Sequence, residues 1–328
     1  MRRPATWLVV GGVILLAGVA AVETLLGDDE GAASPSTRAT TTQPSSQTGL
    51  IDQLEAAGAS GLLYLAVVEE EAACTIRAVR LPTLVVESEV PAPHCSFDVA
   101  PSGAIATGLD CGEPGALVLA DGAVVDRFEG CSPAWKPTGE LTFLRNGGVM
   151  AVPRSCSGTV DECARGVLTR REIERDLPTL VGRRPWAVRE IAWLDETTVA
   201  AIVRETGRFG GFRGTTDFIA VFEGRRLAAP PSFGTGMLLG LAVDRRGRRI
   251  FVSGEGTQGV FELDDLGAFQ NMLTVPGLPE VVSVAFSLDG NWAAAAGRGS
   301  VLIFQPGDPP GRSFQLPVEA ESLAWREP

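Results

Sequence analysis

From residue 61 to 325 apolar and polar residues alternate with period two, in short runs broken by Gly, Pro, Asp and Ser. That period is the mark of half-buried strands. One stretch organises the rest: CSPAWKPTGELTFLRNGGVMAV (131–152) reads as strand, tight turn, strand, short turn, strand. Its first unit, a four-residue run ending in a large residue, recurs along the chain. The six copies are SFDV (96–99), SPAW (132–135), EIAW (190–193), GLAV (240–243), SVAF (283–286) and SLAW (322–325). Successive spacings are 36, 58, 50, 43 and 39 residues, the range of a propeller-blade repeat.

The columns of this repeat have a packing logic. Alternate residues of a strand face opposite sides. One side carries Val99, Trp135, Trp193, Val243, Phe286 and Trp325, preceded two positions earlier by Phe97, Pro133, Ile191, Leu241, Val284 and Leu323. The other side is small. It carries Asp98, Ala134, Ala192, Ala242, Ala285 and Ala324, with Ser96, Ser132, Glu190, Gly240, Ser283 and Ser322 before them. Sheets that converge on an axis leave little room, and a large face nested on the next sheet's small face fills it without clash. Each unit is therefore read as an innermost strand. A turn rich in Gly, Pro and Asp and a second strand follow the first five units, as tight hairpins require. Third strands are legible at 116–120, 149–152, 218–222, 260–263 and 301–304.

The sixth unit reaches Pro328 without a second strand, while the first strand of the domain, LLYLAVV (62–68), lacks an inner strand. The two deficits complete each other. The expected fold is all-β: a six-bladed β-propeller closed by the C-terminal strand pairing with the N-terminal blade, preceded by one transmembrane helix. A seventh blade inside the long 135–193 interval is the rival count.

The segment SPAWKPTGELTFLRNG (132–147) resembles the inner hairpin of TolB-like and WD40-like propellers, in which a run like PxWSPDG precedes a strand. It has no WD dipeptide and no GH, and only the SLDG copy keeps an Asp-Gly. The resemblance covers 61–328. It implies a fold and a tendency to bind other proteins, and carries no catalytic residue across. The whole chain also resembles membrane-anchored extracytoplasmic propeller proteins of high-GC Gram-positive bacteria.

Before the repeats, Arg2 and Arg3 precede an uncharged run from Pro4 to Val22. As a helix it would span about 28 Å, close to a bilayer core of about 30 Å. The arginines would hold the N-terminus inside. Residues 1–27 are therefore expected to be a cytoplasmic tip and membrane anchor, with the protein single-pass in the cell membrane and its propeller outside. A cleaved signal peptide ending at Val19-Ala20-Ala21 is the rival, for which the apolar run is somewhat long. Residues 28–48 are Ser, Thr, Pro and Gly with no large apolar side chain, a disordered linker by composition. The propeller domain is expected over 49–328. It begins with a two-turn helix, ending at Gly58, whose Leu50 and Leu54 lean on the sheets.

Composition narrows the chemistry. With 45% apolar residues the chain can bury a sizeable core, and 39 Gly and 22 Pro favour strands and turns over long helices. A net charge of −12 argues against a nucleic-acid surface, because phosphates repel an acidic body. The single histidine, His94, removes most metal and general-base schemes. No cofactor is expected. Six cysteines combined with export point to disulfides. Equivalent places in the repeat favour Cys74–Cys95 and Cys111–Cys131, with Cys156–Cys163 local; Cys95–Cys111 across one hairpin is the main rival.

Candidate sites are few. RETGRFGGFRGTTD (204–217) places Phe209 and Phe212 among Arg204, Arg208 and Arg213 in a Gly-rich connection of blade four. Aromatic and Arg side chains are common interface anchors. The connection lies on the face where the inner strands start. Folding of both phenylalanines back onto the blade is the plainer reading. Glu190 and Asp98 break the small columns, and acidic groups near a propeller axis can hold a cation; ordinary solvated carboxylates are the plainer reading. GEGTQG (254–259) fits a dinucleotide fingerprint, but the next run, VFEL, reads as a strand where that fold needs a helix. The basic run 245–249 reads as a solvated turn. No GxSxG, HExxH or P-loop pattern is present.

The expected function is a non-enzymatic protein-interaction or ligand-recognition module, anchored in the membrane and facing a protein or cell-envelope component. The alternative is a propeller hydrolase or lactonase with a channel-bound metal.

Overall fold

The structure is a computed structural model. It describes residues 47–68, 74–108, 114–118, 122–177, 186–209, 212–231, 234–235, 237–255, 259–275, 278, 280–297, 299–306, 312–316 and 318–326. Among these the strands sort into six antiparallel sheets. Blade one runs from the axis outward as Ser322–Arg326, Gly61–Val68, Cys74–Leu81 and Val85–Ala92. Blade two is Phe97–Val99, Ile105–Thr107, Gly115–Val118 and Val124–Phe128; blade three is Cys131–Trp135, Leu141–Arg145, Gly148–Val152 and Arg165–Leu168. Blade four has Trp186–Trp193, Thr198–Phe209, Phe212–Glu223 and Arg226–Leu227, with Gly234–Thr235 also on its third strand. Blade five is Leu238–Asp244, Arg249–Gly254, Gly259–Leu263 and Phe269–Thr274. Blade six is Ser283–Phe286, Ala293–Gly297, Ser300–Phe304 and Ser313–Leu316.

The core is divided in the same way. Each of six apolar clusters lies between two successive blades, the last between blades six and one. The nesting of columns is visible in each. Ile191 and Trp193 pack with Ala134, Val284 and Phe286 with Ala242, and Leu323 and Trp325 with Ala285. Trp193 is 2% exposed, and its indole N–H donates to Thr142 Oγ1 at 2.7 Å. That hydroxyl in turn donates to the Ala134 carbonyl at 2.6 Å. A large aromatic thus sits between blades without leaving its polar atom unmatched.

The C-terminal strand pairs antiparallel with the first, Leu62↔Arg326 through Ala66↔Ser322. Gly61 lies at this junction with φ +116°, and a Cβ there would lie 2.6 Å from Trp325 Nε1. The helix Gln47–Ala57 ends at Gly58 in the left-handed region, φ +77°, where glycine is favoured. Its Leu54 is fully buried between blades six and one. Gln47 and Thr48, placed in the linker by composition, are in the first turn of this helix.

Three expectations need correcting. Among the described residues no sheet closes on itself. Each of the six is open, and neighbours are held by side-chain packing rather than by one continuous hydrogen-bond ladder. The membrane anchor over 1–27 lies outside the described residues, as does the linker up to residue 46. No described helix is long and apolar enough to cross a membrane. The helix Gln47–Ala57 has 11 residues, about 16 Å, roughly half a bilayer core. The single-pass topology, the membrane as partner and the cell-membrane localisation are withdrawn. Finally, the blade-four connection is a paired ribbon, not a loop. Thr198–Phe209 and Phe212–Glu223 stay in register to Phe209↔Phe212.

Candidate functional site

The six inner strands surround an axial cavity of about 150 Å³. Their axial edges face no further strand, so N–H groups there need other acceptors. Side chains of the preceding blade supply them. Leu241 N–H donates to Glu190 Oε1 at 3.1 Å, Leu323 N–H to Ser283 Oγ at 3.1 Å, and Trp135 N–H to Asp98 Oδ2 at 2.7 Å. The residues that break or fill the small columns are therefore inter-blade acceptors at the axis. β-Bulges help aim them, since an extra residue rotates the following side chain. The register shifts between Val188 and Glu190, between Leu238 and Gly240, and between Cys131 and Ala134. Ser132, in the last of these, has φ +46°.

Glu190 lies among the inner-strand starts, half-buried against the cavity. Burial pushes its carboxyl up to about 7; the Leu241 N–H and the charge of Arg189 offset this only partly. The inner-strand ends are built differently. Asp98 Oδ1 accepts from Val99 N–H at 2.8 Å and from Arg326 Nη2 at 2.9 Å. Arg245 leaves the blade-five turn and crosses to two other blades. Its Nε donates to the Trp193 carbonyl at 3.0 Å and its Nη2 to the Trp135 carbonyl at 2.9 Å. Arg326, Asp98, Trp135, Arg245 and Trp193 thus link blades one to five. Burial lowers the Arg245 pKa, and the nearby charge of Arg326 acts in the same direction.

The candidate interface residues fall in different places. Arg204 forms a bidentate pair with Asp217, at 2.7 and 2.5 Å. Asp217 is fully buried and also accepts from Leu238 N–H at 2.9 Å. That occupies Arg204 structurally. Arg208 pairs in register with Arg213, and Phe209 with Phe212, at the ribbon tip; these four side chains lie outside what the structure describes. The ribbon and Glu190 are both toward the inner-strand starts, but the ribbon belongs to the second and third strands. Arg245 and Arg326 were not picked out in the sequence. Arg245 had been placed in a solvated turn.

Cysteines 74 and 95 are bonded, with Cα atoms 5.3 Å apart, as are Cys156 and Cys163 at 5.9 Å. Cys131 is disulfide-bonded, while Cys111 lies outside the described residues. His94 Nε2 is 3.2 Å from the Pro114 carbonyl. Gly254 ends one strand and Gly259 begins the next, so no helix follows the dinucleotide-like run. No group of three or more His, Cys, Asp or Glu among the described residues could hold a metal ion. Asp98 is committed to three donors, and Glu190 has no second acid beside it. The channel-metal hydrolase alternative is withdrawn.

Six four-stranded or larger sheets packed round one axis define a six-bladed β-propeller. The chain is similar in fold to a chain in a crystal structure of a nidogen/laminin complex, with 12% identity and a TM-score of 0.50. The match covers 81% of this chain and 98% of that one. No family model and no curated protein matches the sequence.

Proposed function

We propose that this chain is a non-enzymatic recognition module that binds a protein partner on the face where its inner strands begin. The proposal includes kinship with TolB-like and WD40-like propellers, of the kind found in high-GC Gram-positive bacteria, on the strength of the 132–147 hairpin. One observation carries the reading. The blade-four ribbon continues beyond the sheet that supports it. Its inner neighbour stops at Trp186, opposite Glu205, and the short strand on its other side stops at Thr235, opposite Asp217. Four further pairs, Thr206↔Thr215 to Phe209↔Phe212, project about 13 Å past that support. Among the described residues both edges there are open. Open edges present rows of N–H and C=O groups to which an extended segment of another protein can add.

Glu205 and Thr216 are directly opposed, so residues 206–215 can be replaced by Asn-Gly, which suits a two-residue hairpin. The trimmed protein should melt with the wild type and lose the partner that cross-links to a photoreactive residue at position 209 in the parent. Retained capture at parental yield would end the reading.

A further inference from the structure

Two guanidinium groups and one carboxylate meet where the inner strands end. Asp98 is matched to Arg326. Arg245 has no carboxylate within 4 Å among the described residues. The two backbone carbonyls that hold it fix its plane but do not neutralise it. A guanidinium has five N–H donors, and Arg245 Nη1 makes no hydrogen bond to the described residues. Arg326 Nε is buried and likewise has no hydrogen-bond partner there. Both arginines line the axial cavity, beside Leu288 at its rim. A half-buried cation without a counter-charge is costly unless an anion completes it. The chain is acidic overall at −12, so this is a local charge, not part of a basic surface. A cavity of about 150 Å³ has the volume of one that admits a benzene-sized molecule. That suits a carboxylate on a short carbon chain.

We propose that Arg245 and Arg326 form the floor of an anion site in the axial channel, which takes one carboxylate. The carboxylate belongs either to a small organic acid or to the C-terminus of a peptide. The site lies at the opposite end of the inner strands from the ribbon and does not depend on it.

Titration calorimetry on the full chain tests this with three probes: succinate, a short peptide with a free C-terminus, and the same peptide amidated. Saturable binding of succinate or the free-acid peptide, with none of the amide, is expected. Succinate alone would assign a free acid; the peptide alone would assign a protein terminus. Arg245→Gln should weaken binding at least tenfold. That variant also loses the bonds to Trp135 and Trp193, so a second one guards against loss of folding. Leu288 is 39% exposed, and Leu288→Glu sets a competing carboxylate at the rim. It should also weaken binding at least tenfold while melting normally. No saturable binding of either carboxylate at about 10 mM, or wild-type affinity in folded Leu288→Glu, would overturn the site. The ribbon-trimmed protein should bind these probes normally, which separates this proposal from the protein-recognition reading.

Discussion

The two ends of the inner strands solve one problem in different ways. At both, an N–H on the axial edge of a strand needs an acceptor from the blade before it. Where the strands end, Asp98 serves Trp135 and also receives Val99 N–H and the Arg326 guanidinium. Where they start, Glu190 serves Leu241 and receives nothing else. The two acids sit two positions apart in the repeat, yet only Glu190 is pushed to about 7. The comparison teaches that the number of donors decides whether an axial carboxylate stays charged, more than its depth does. An acid with three donors ties blades together, and an acid with one is a strained acceptor.

The comparison breaks most severely at Asp98. Asp98→Ala leaves Arg326 without its counter-charge and Trp135 N–H without its acceptor. Removing one partner of a largely buried pair typically costs about 3–5 kcal/mol. Urea unfolding at pH 7 should show a loss of at least about 3 kcal/mol, and Asp98→Asn should lose less. A loss below about 1 kcal/mol would mean that Arg326 is simply solvated, and the contrast between the two ends would vanish.

Glu190 should behave in the opposite sense. Its folded pKa, about 7, is above its ordinary value of 4.5. The folded protein therefore binds the proton more tightly than the unfolded chain does. Stability is greatest below pH 4.5 on this account and is lost as pH rises through about 7. Glu190→Gln keeps an oxygen for Leu241 N–H and removes the charge. It should stabilise the protein by about 1–3 kcal/mol at pH 8 and by almost nothing at pH 4.5. Thermal or urea unfolding at the two pH values checks the sign. Equal effects at both would show that the channel solvates the carboxylate.

The columns that made the blades legible are a backbone property: alternation survives because every second residue meets the same neighbour sheet. Asp98 and Glu190 were visible for the same reason, as exceptions in a column. Arg245 was not. Its place depends on a long side chain crossing to carbonyls 52 and 110 residues away, and no local pattern encodes that. Arg326 follows SLAW as Lys136 follows SPAW, a faint sign that the position after the column carries charge. The ribbon did leave a signal. TGRFGGFRGT (206–215) is palindromic about Gly-Gly, and Gly-Gly between matched runs marks a two-residue hairpin. Glycine content alone suggested a loop, and the symmetry should have outweighed it.

The finest test sets a neutral acceptor beside the charged one. Ser283 holds the same place in its unit as Glu190, and it accepts from Leu323 N–H at the same 3.1 Å. A hydroxyl needs no counter-charge, so it performs the bridging without a titration. Ser283→Ala removes the acceptor and leaves one edge N–H facing the cavity. The loss should be about 0.5–1.5 kcal/mol, the net worth of one such bond, and the same at pH 4.5 and pH 8. Glu190→Ala would lose a comparable bond but also shed the ionisation penalty, so its effect should change with pH. A pH-independent difference between the two alanine variants would mean that the charge on Glu190 is not what distinguishes the start of the channel from its end.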